Sequence, residues 1–269
     1  MIKLLATDLD GTIHTRNNGF NIDDIETLGE LGEQNVCRVI ATGRTFQSAL
    51  SVIPENFPID YLVFSSGAGI YDWKNKTILK TINLGFEDAR IITNILNQFD
   101  IEYTVHHPIP DNHIFFHSIS SDPHPDFERY IDFNKAHAIP EEKELPEEDY
   151  SQVLSFIPEI GLFEEIKAKF NGIKTIRATS PIDGESIWME CFHKDVSKAN
   201  GILHIAQMLQ IEESEIVVIG NDYNDLDMLQ YFSKSYIVNN APDDLKQHFT
   251  ILTDVQLSPL ADWYRRFRW

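Results

Sequence analysis

Residues 2–12 read IKLLATDLDGT. The first seven are almost continuously apolar and end in an acid, Asp8. A run without polar alternation is what a strand buried on both faces requires. Asp8 and Asp10 then stand two residues apart at the strand end. In a continuing strand, i and i+2 point to the same side, and in a turn with Gly11 the two acids can face one bound atom. Two close carboxylates repel, so such a pair needs a cation, or one member must hold a proton. A hard divalent cation such as Mg²⁺ suits oxygen ligands. The competing reading is a plain polar turn.

The same pattern recurs outward from this strand. VCRVIAT (36–42), YLVFSSGA (61–68), EIVVIG (215–220) and SYIVNN (235–240) are strand-like. Between them lie helical patterns. NIDDIETLGELGEQN (21–35) places Ile22, Ile25, Leu28 and Leu31 on one face with acids near its start, although Gly29 and Gly32 weaken it. RTFQSALSVI (44–53), SKANGILHIAQMLQ (197–210), DLDMLQYF (225–232) and PDDLKQHF (242–249) complete the series. Apolar strands alternating with helices predict a parallel sheet covered on both faces.

The middle differs. FEDARIITNILNQF (86–99) is an amphipathic helix, and IEYTVHH (101–107) and HIFFHSI (113–119) are close, strand-like neighbours. DFERYIDFNKAH (126–137) is helical, EEKELPEED (141–149) an acidic loop, and SQVLSFI, EIGLFEEIKAKF, IKTIRA and SIWMECF follow as strand, helix, strand and strand. Adjacent strands with helices between them predict an α+β insert with an antiparallel sheet, placed at residues 84–185. Residues 1–83 and 186–269 form the core.

Composition limits the function classes. Of 269 residues, 42% are hydrophobic and 24% charged, the profile of a soluble globular chain. A formal charge of −20 argues against nucleic acid or an anionic membrane as partner. It also repels an anionic substrate unless a metal or fixed positive groups override it locally. No apolar run approaches a membrane span, and the start of the chain reaches Asp8 before a signal-peptide core forms, so a cytoplasmic location is expected. Cys37 and Cys191, both in apolar runs, are expected to be reduced thiols. The basic, aromatic stretch DWYRRFRW (262–269) runs against the overall charge and is expected to dock on the acidic body.

Ligands of open parallel sheets bind at the carboxyl ends of strands. Those ends carry Asp8, Asp10, Gly11 and Thr12; Thr42, Gly43 and Arg44; Ser65, Ser66 and Gly67; and the stretch GNDYND (220–225). A calcium loop of the EF-hand type fails. From Asp222 its fifth position is Leu226 and its twelfth Ser233, and from Asp8 its sixth is Ile13. Thr42 and Gly43 offer a hydroxyl and an unhindered N–H where a helix begins, which suits a phosphate or a simple cap. Lys198, near a helix start, opposes the helix dipole and by itself reads as a surface lysine. His106, His107, His113, His117 and His124 have no helix-face metal spacing; only His113 and His117 are four apart, in a strand-like run, and ordinary polar roles are expected.

Taken together, DLDGT (8–12), ATGR (41–44), SSGAGIY (65–71), SKANGI (197–202) and GNDYNDLDML (220–229) resemble the motifs of haloacid-dehalogenase-like phosphatases, in particular the Cof-like hydrolases with a large α/β cap. They occur in the family's order. The resemblance implies a Rossmann-like core with an inserted α+β cap, and Mg²⁺-dependent hydrolysis of a small phosphorylated metabolite such as a sugar phosphate. It implies Asp8 as nucleophile, forming an aspartyl-phosphate, and Asp10 as acid and then base, protonated beside an ionised Asp8. Thr42 and Lys198 would hold the transferring oxygens. Gly43, Arg44, Ser66 and Asn224 would contact substrate. The metal would be held by Asp8, the Asp10 carbonyl and, after Gly220, by Asn221 with Asp222 and Asp225 in close support, Asp222 being the alternative direct ligand. Two positions depart from the pattern. Ser66 stands where the family often has Asn. Asn221 stands where an acid is common, with Asp222 one residue later. The alternatives are phosphoryl transfer to another hydroxyl, as in a phosphomutase, and a non-catalytic phosphate- or metal-binding protein.

Overall fold

The computed structural model describes residues 1–140 and 145–267. The chain divides into two compact units. Met1–Arg44, Ala49–Lys80 and the chain from Ser197 onward form one; Thr45–Ser48 and Thr81–Val196 form the other.

The first unit is built on an eight-stranded sheet in the order Thr250–Leu252, Ser235–Val238, Ile216–Gly220, Leu4–Thr7, Cys37–Ala41, Tyr61–Phe64, Gly69–Asp72, Thr77–Thr81. Strands one to six in this order pair in parallel, and Gly69–Asp72 returns antiparallel to Tyr61–Phe64. Leu4–Thr7 is central and buried along its whole length. From it the chain winds first to Cys37–Ala41 on one side and much later to Ile216–Gly220 on the other. That reversal opens a crevice at the carboxyl end of Leu4–Thr7. Leu4, Ala6, Val39, Val63 and Val218 pack against Ile202, Ile205 and Met228 of two covering helices.

The helix Ile22–Glu33 forms as expected, but Ile22 faces solvent while Asp24, Thr27, Leu28 and Leu31 are buried. Asp24 is buried because its Oδ1 accepts from the Ala261 N–H at 3.0 Å, in the first turn of the helix Pro259–Phe267. That helix buries Trp263 and Tyr264, and Arg265 reaches Asp23 at 3.0 Å. The basic stretch therefore docks on the acidic first helix; its last two residues lie outside the described ones.

The second unit carries a six-stranded sheet in the order Ala138–Pro140, Phe115–Ser118, Tyr103–His106, Gln152–Ile157, Ile187–His193, Ile173–Thr179. All pairs are antiparallel except the first, which is parallel. Val153, Ile157, Met189 and Cys191 pack with Ile92 and Leu96 of the helix Phe86–Gln98. Leu154, Phe156 and Trp188, one residue out of phase, pack with Phe127 of the helix Pro125–Asn134. The alternation places these two apolar sets on opposite faces.

The expected end of the insert, residue 185, is corrected to residue 196. Ile187–His193 pairs on both sides inside this second sheet, so cutting at 185 would strip its ladder bonds. The beginning moves from 84 to 81. Part of the expected acidic loop, residues 141–144, lies outside the described residues. Both cysteines are free, Cys37 half-buried and Cys191 buried, and burial pushes each thiol up to about 12.

Candidate active site

Three strand tips and one helix start converge in the first unit. Asp8 follows Leu4–Thr7, its N–H donating to the Ile219 carbonyl at 2.8 Å, which fixes it beside the tip of Ile216–Gly220. Lys198 opens the helix Lys198–Leu209, whose Ser197 cap accepts from the Asn200 N–H at 3.0 Å. The side chain of Lys198 is buried, with Nζ at 2.7 Å from Asp8 Oδ1 and 2.6 Å from Asp225 Oδ1. It is thus no surface lysine, and its two carboxylate partners outweigh the local helix dipole. Burial works against the Lys198 charge, but Asp225 and Asp8 reverse that and hold the ammonium above its usual range. Two buried carboxylates share this one ammonium. Burial, together with the Asp225 charge, consequently pushes the Asp8 carboxyl up against the pull of Lys198.

Asp8 Oδ2 accepts from the Thr12 hydroxyl at 3.1 Å. Asp225 Oδ2 accepts the backbone N–H groups of Asn221 at 2.7 Å and Asp222 at 3.1 Å, so this acid also shapes the turn after Gly220. The Asn221 amide finds suitable partners at both ends only with its nitrogen inward, where it stands 3.1 Å from Asp8 Oδ2, 3.2 Å from the Asp10 carbonyl, 3.2 Å from Thr12 Oγ1 and 3.3 Å from Asp225 Oδ2; its two hydrogens serve two of these oxygens at a time. Four oxygens thus surround the end of this side chain. Asp222 is turned elsewhere, into a capping box with the Asp225 backbone, and Asn224 is half-buried in the same turn. Among the described residues no three His, Cys, Asp or Glu side chains converge on one metal position. The oxygen cluster here combines two carboxylates with a carbonyl, a hydroxyl and an amide.

Asp10 behaves oppositely to the expected protonated acid. Arg44 Nε donates to its Oδ2 at 2.6 Å and Arg44 Nη2 to its Oδ1 at 2.8 Å, a bidentate fork, while His14 Nδ1 stands 3.3 Å from Oδ1. Burial works upward on this carboxyl, but Arg44 and His14 bring it down to about 2. The sequence reading missed His14. It begins a short hairpin, His14–Thr15 with Gly19–Phe20, and its ring packs 4.8 Å from Phe20, itself 4.4 Å from Phe57. Its only sequence signal was its place four residues after Asp10.

Thr42 and Ser66 lie behind Arg44. Thr42 is buried, and its hydroxyl accepts from the Arg44 N–H at 3.1 Å, closing a turn; the helix starts only at Phe46. The expected helix-start position of Thr42 and Gly43 is corrected accordingly. Ser65 and Ser66 take left-handed backbone, φ 47° and 55°, and their N–H groups donate to the carbonyls of Arg44 at 2.8 Å and Thr42 at 3.0 Å. Asn240, also overlooked, lies just beyond Ser235–Val238 and donates to the Gly11 carbonyl at 2.8 Å. The rule that strand ends carry the chemistry could have found it.

The histidines of the second unit are engaged separately. His106 is buried between Thr104 and the Asn112 carbonyl, and burial lowers it to about 4. His124 caps a helix by accepting from the Asp126 N–H at 3.1 Å. His107 faces Glu148 at 3.5 Å, and the His113 ring meets His137 edge-on.

The model of the haloacid dehalogenase-like hydrolase family matches residues 5–257, and the chain belongs to that family. A candidate phosphatase of Bacillus subtilis (strain 168), YxeH, is 23% identical over 90% of this chain and 88% of its own length. One from Mycoplasma pneumoniae is 26% identical over 93% and 90%. Among solved structures, the haloalkanoate-superfamily phosphatase BT1666 from Bacteroides thetaiotaomicron superimposes with a TM-score of 0.80 at 19% identity, covering 100% of this chain and 96% of its own. The sugar phosphatase BT4131 does so at 0.80 and 18%, covering 99% of each. At these identities the likeness is one of fold. Among the described residues, no helix is long and apolar enough to cross a membrane.

Proposed function

We propose that this hydrolase cleaves phosphate monoesters of small metabolites, sugar phosphates foremost, with Mg²⁺ as cofactor. The observation that carries this reading is the buried Lys198 ammonium shared by Asp8 and Asp225 at the strand tips. A cation held there, with the Arg44 fork beside it, suits a transferring phosphoryl group. The names of the related proteins point the same way.

The donor set fits a hard divalent ion: four oxygens, two of them from carboxylates that share one ammonium, converge on one point. Asp8, the Asp10 carbonyl, Asn221 and Asp225 would hold it, with Asp222 in support. When bound it would offset the repulsion between Asp8 and the phosphate.

Asp8 attacks phosphorus and forms an aspartyl-phosphate as the bond to the ester oxygen breaks. That oxygen takes a proton from Asp10. Asp10 then removes a proton from water, and the resulting hydroxide attacks phosphorus and releases Asp8. Lys198 and Thr42 hold phosphoryl oxygens; Gly43, Arg44, Ser66 and Asn224 line the substrate. Since Arg44 holds Asp10 as an anion, proton donation requires this fork to open and Asp10 first to take up a proton from solvent. An arriving phosphate dianion competes for the same guanidinium and opens it.

The test is phosphate release from a panel of sugar phosphates with MgCl₂, by the native chain and by Asp8→Asn. Turnover lost in Asp8→Asn supports the reading. No release from any ester sinks it, and an isomerised ester in place of free phosphate would reassign the enzyme to phosphoryl transfer.

A further inference from the structure

The Asn221 amide nitrogen sits among four oxygens: Asp8 Oδ2, the Asp10 carbonyl, Thr12 Oγ1 and Asp225 Oδ2, all within 3.3 Å. Three of them are oxygens assigned above to the cation. A half-turn of the amide about its last torsion keeps its shape and would present one lone-pair oxygen to the cluster in place of two hydrogens. Gly11, with φ 76°, leaves room for the amide: a Cβ there would stand 2.4 Å from the outer end of the Asn221 side chain.

The charges around this point are uneven. Arg44 pairs with the Asp10 carboxylate, while the Lys198 ammonium is shared between Asp8 and Asp225. A carboxylate at position 221 would add a further acid to this cluster, and without a cation the repulsion would fall on buried groups. An amide adds none, and its N–H groups can satisfy the oxygens directly.

The geometry points to Asn221 as a reversible stand-in for the cation: nitrogen inward in the absence of metal, and Oδ1 inward as a neutral ligand when Mg²⁺ binds. The inference rests on the metal-dependent reading of the site proposed above. It has two consequences. The metal-free protein keeps an ordered site. Mg²⁺ binds more weakly than it would to a carboxylate at the same position, because it must displace the amide hydrogen bonds and gains no anionic ligand in return.

The test compares the full-length native chain with Asn221→Asp by titration calorimetry with MgCl₂, without substrate, and by thermal melting in EDTA and in Mg²⁺. Asn221→Asp should bind Mg²⁺ about tenfold more tightly or better. It should melt lower than the native chain in EDTA and show the larger rise on adding Mg²⁺. A variant that folds only with Mg²⁺ supports the inference equally. Equal or weaker Mg²⁺ binding with an unchanged melting point in EDTA overturns it. Should Asn221→Asp fail to fold in both conditions, Asn221→Ala decides: a lower melting point in EDTA supports the stand-in, and an unchanged one overturns it. Neither readout involves catalysis, so a failure here is separable from a failure of Asp8→Asn to abolish phosphate release.

Discussion

Gly67 passes so close to Ser197 that a Cβ on the glycine would stand 2.1 Å from the Ser197 carbonyl oxygen. Ser197 caps the helix that begins with Lys198, so this contact sets where the ammonium enters the site. Gly67 also has φ 107°, which L side chains rarely adopt. Gly67→Ala should therefore destabilise the chain by about 2–4 kcal/mol, from overpacking and strain together. It should also lower turnover, since Lys198 moves. Urea unfolding and phosphate release check both, and an unaltered midpoint would refute the steric argument.

Removing Lys198 leaves Asp8 and Asp225 buried without their cation. Lys198→Met should cost roughly 3–5 kcal/mol near neutral pH. Adding Asp225→Asn should restore part of that stability and none of the activity. If the double variant is no more stable than the single one, the carboxylate repulsion is not the cause.

Asp10 is oriented from two sides, by Arg44 and by His14. If Asp10 donates the leaving-group proton, His14→Gln should slow poor leaving groups more than good ones. Turnover of alkyl phosphates should fall about tenfold or more, whereas that of p-nitrophenyl phosphate, whose leaving group needs no proton, should change little. Equal losses on both esters would leave His14 with a merely structural role.

Asp24 gives a pH signature remote from the site. Burial raises its carboxyl from 3.8 to about 7, against the pull of the Leu260 and Ala261 N–H groups, and its Oδ2 has no hydrogen-bond partner. With the folded value above the unfolded one, the folded chain binds the extra proton between the two. Its stabilising effect is complete below about 4 and lost as pH rises through about 7. Asp24→Asn should flatten that slope and stabilise the chain at pH 8 by on the order of 1–3 kcal/mol. Melting curves from pH 4 to 8 provide the check.

The strand tips were legible in the sequence because each follows an apolar run too continuous for anything but a buried strand. Asp8 and Asp225 come together on that basis once the tips are neighbours, whereas Lys198, at a helix start, enters the site only through the family resemblance. The hairpin holding His14 was not legible: its strands are two residues each, too short for any period to show. Ile187–His193 misled for the opposite reason. Five of its seven residues are buried, so nothing in its pattern says which sheet it joins. The reversal of the Asp10 charge state was also hidden. Arg44 was read as a substrate contact, and only the fold shows it turned back on the acid.

The cations at these strand tips are already matched, Arg44 by Asp10 and Lys198 by Asp8 with Asp225. These side chains alone therefore give the site no excess of positive charge, while the whole chain carries a formal −20. Long-range attraction for a phosphate dianion would rest on the divalent cation proposed above. In the metal-free chain, inert salt, which screens the repulsion, should ease binding of a phosphate dianion.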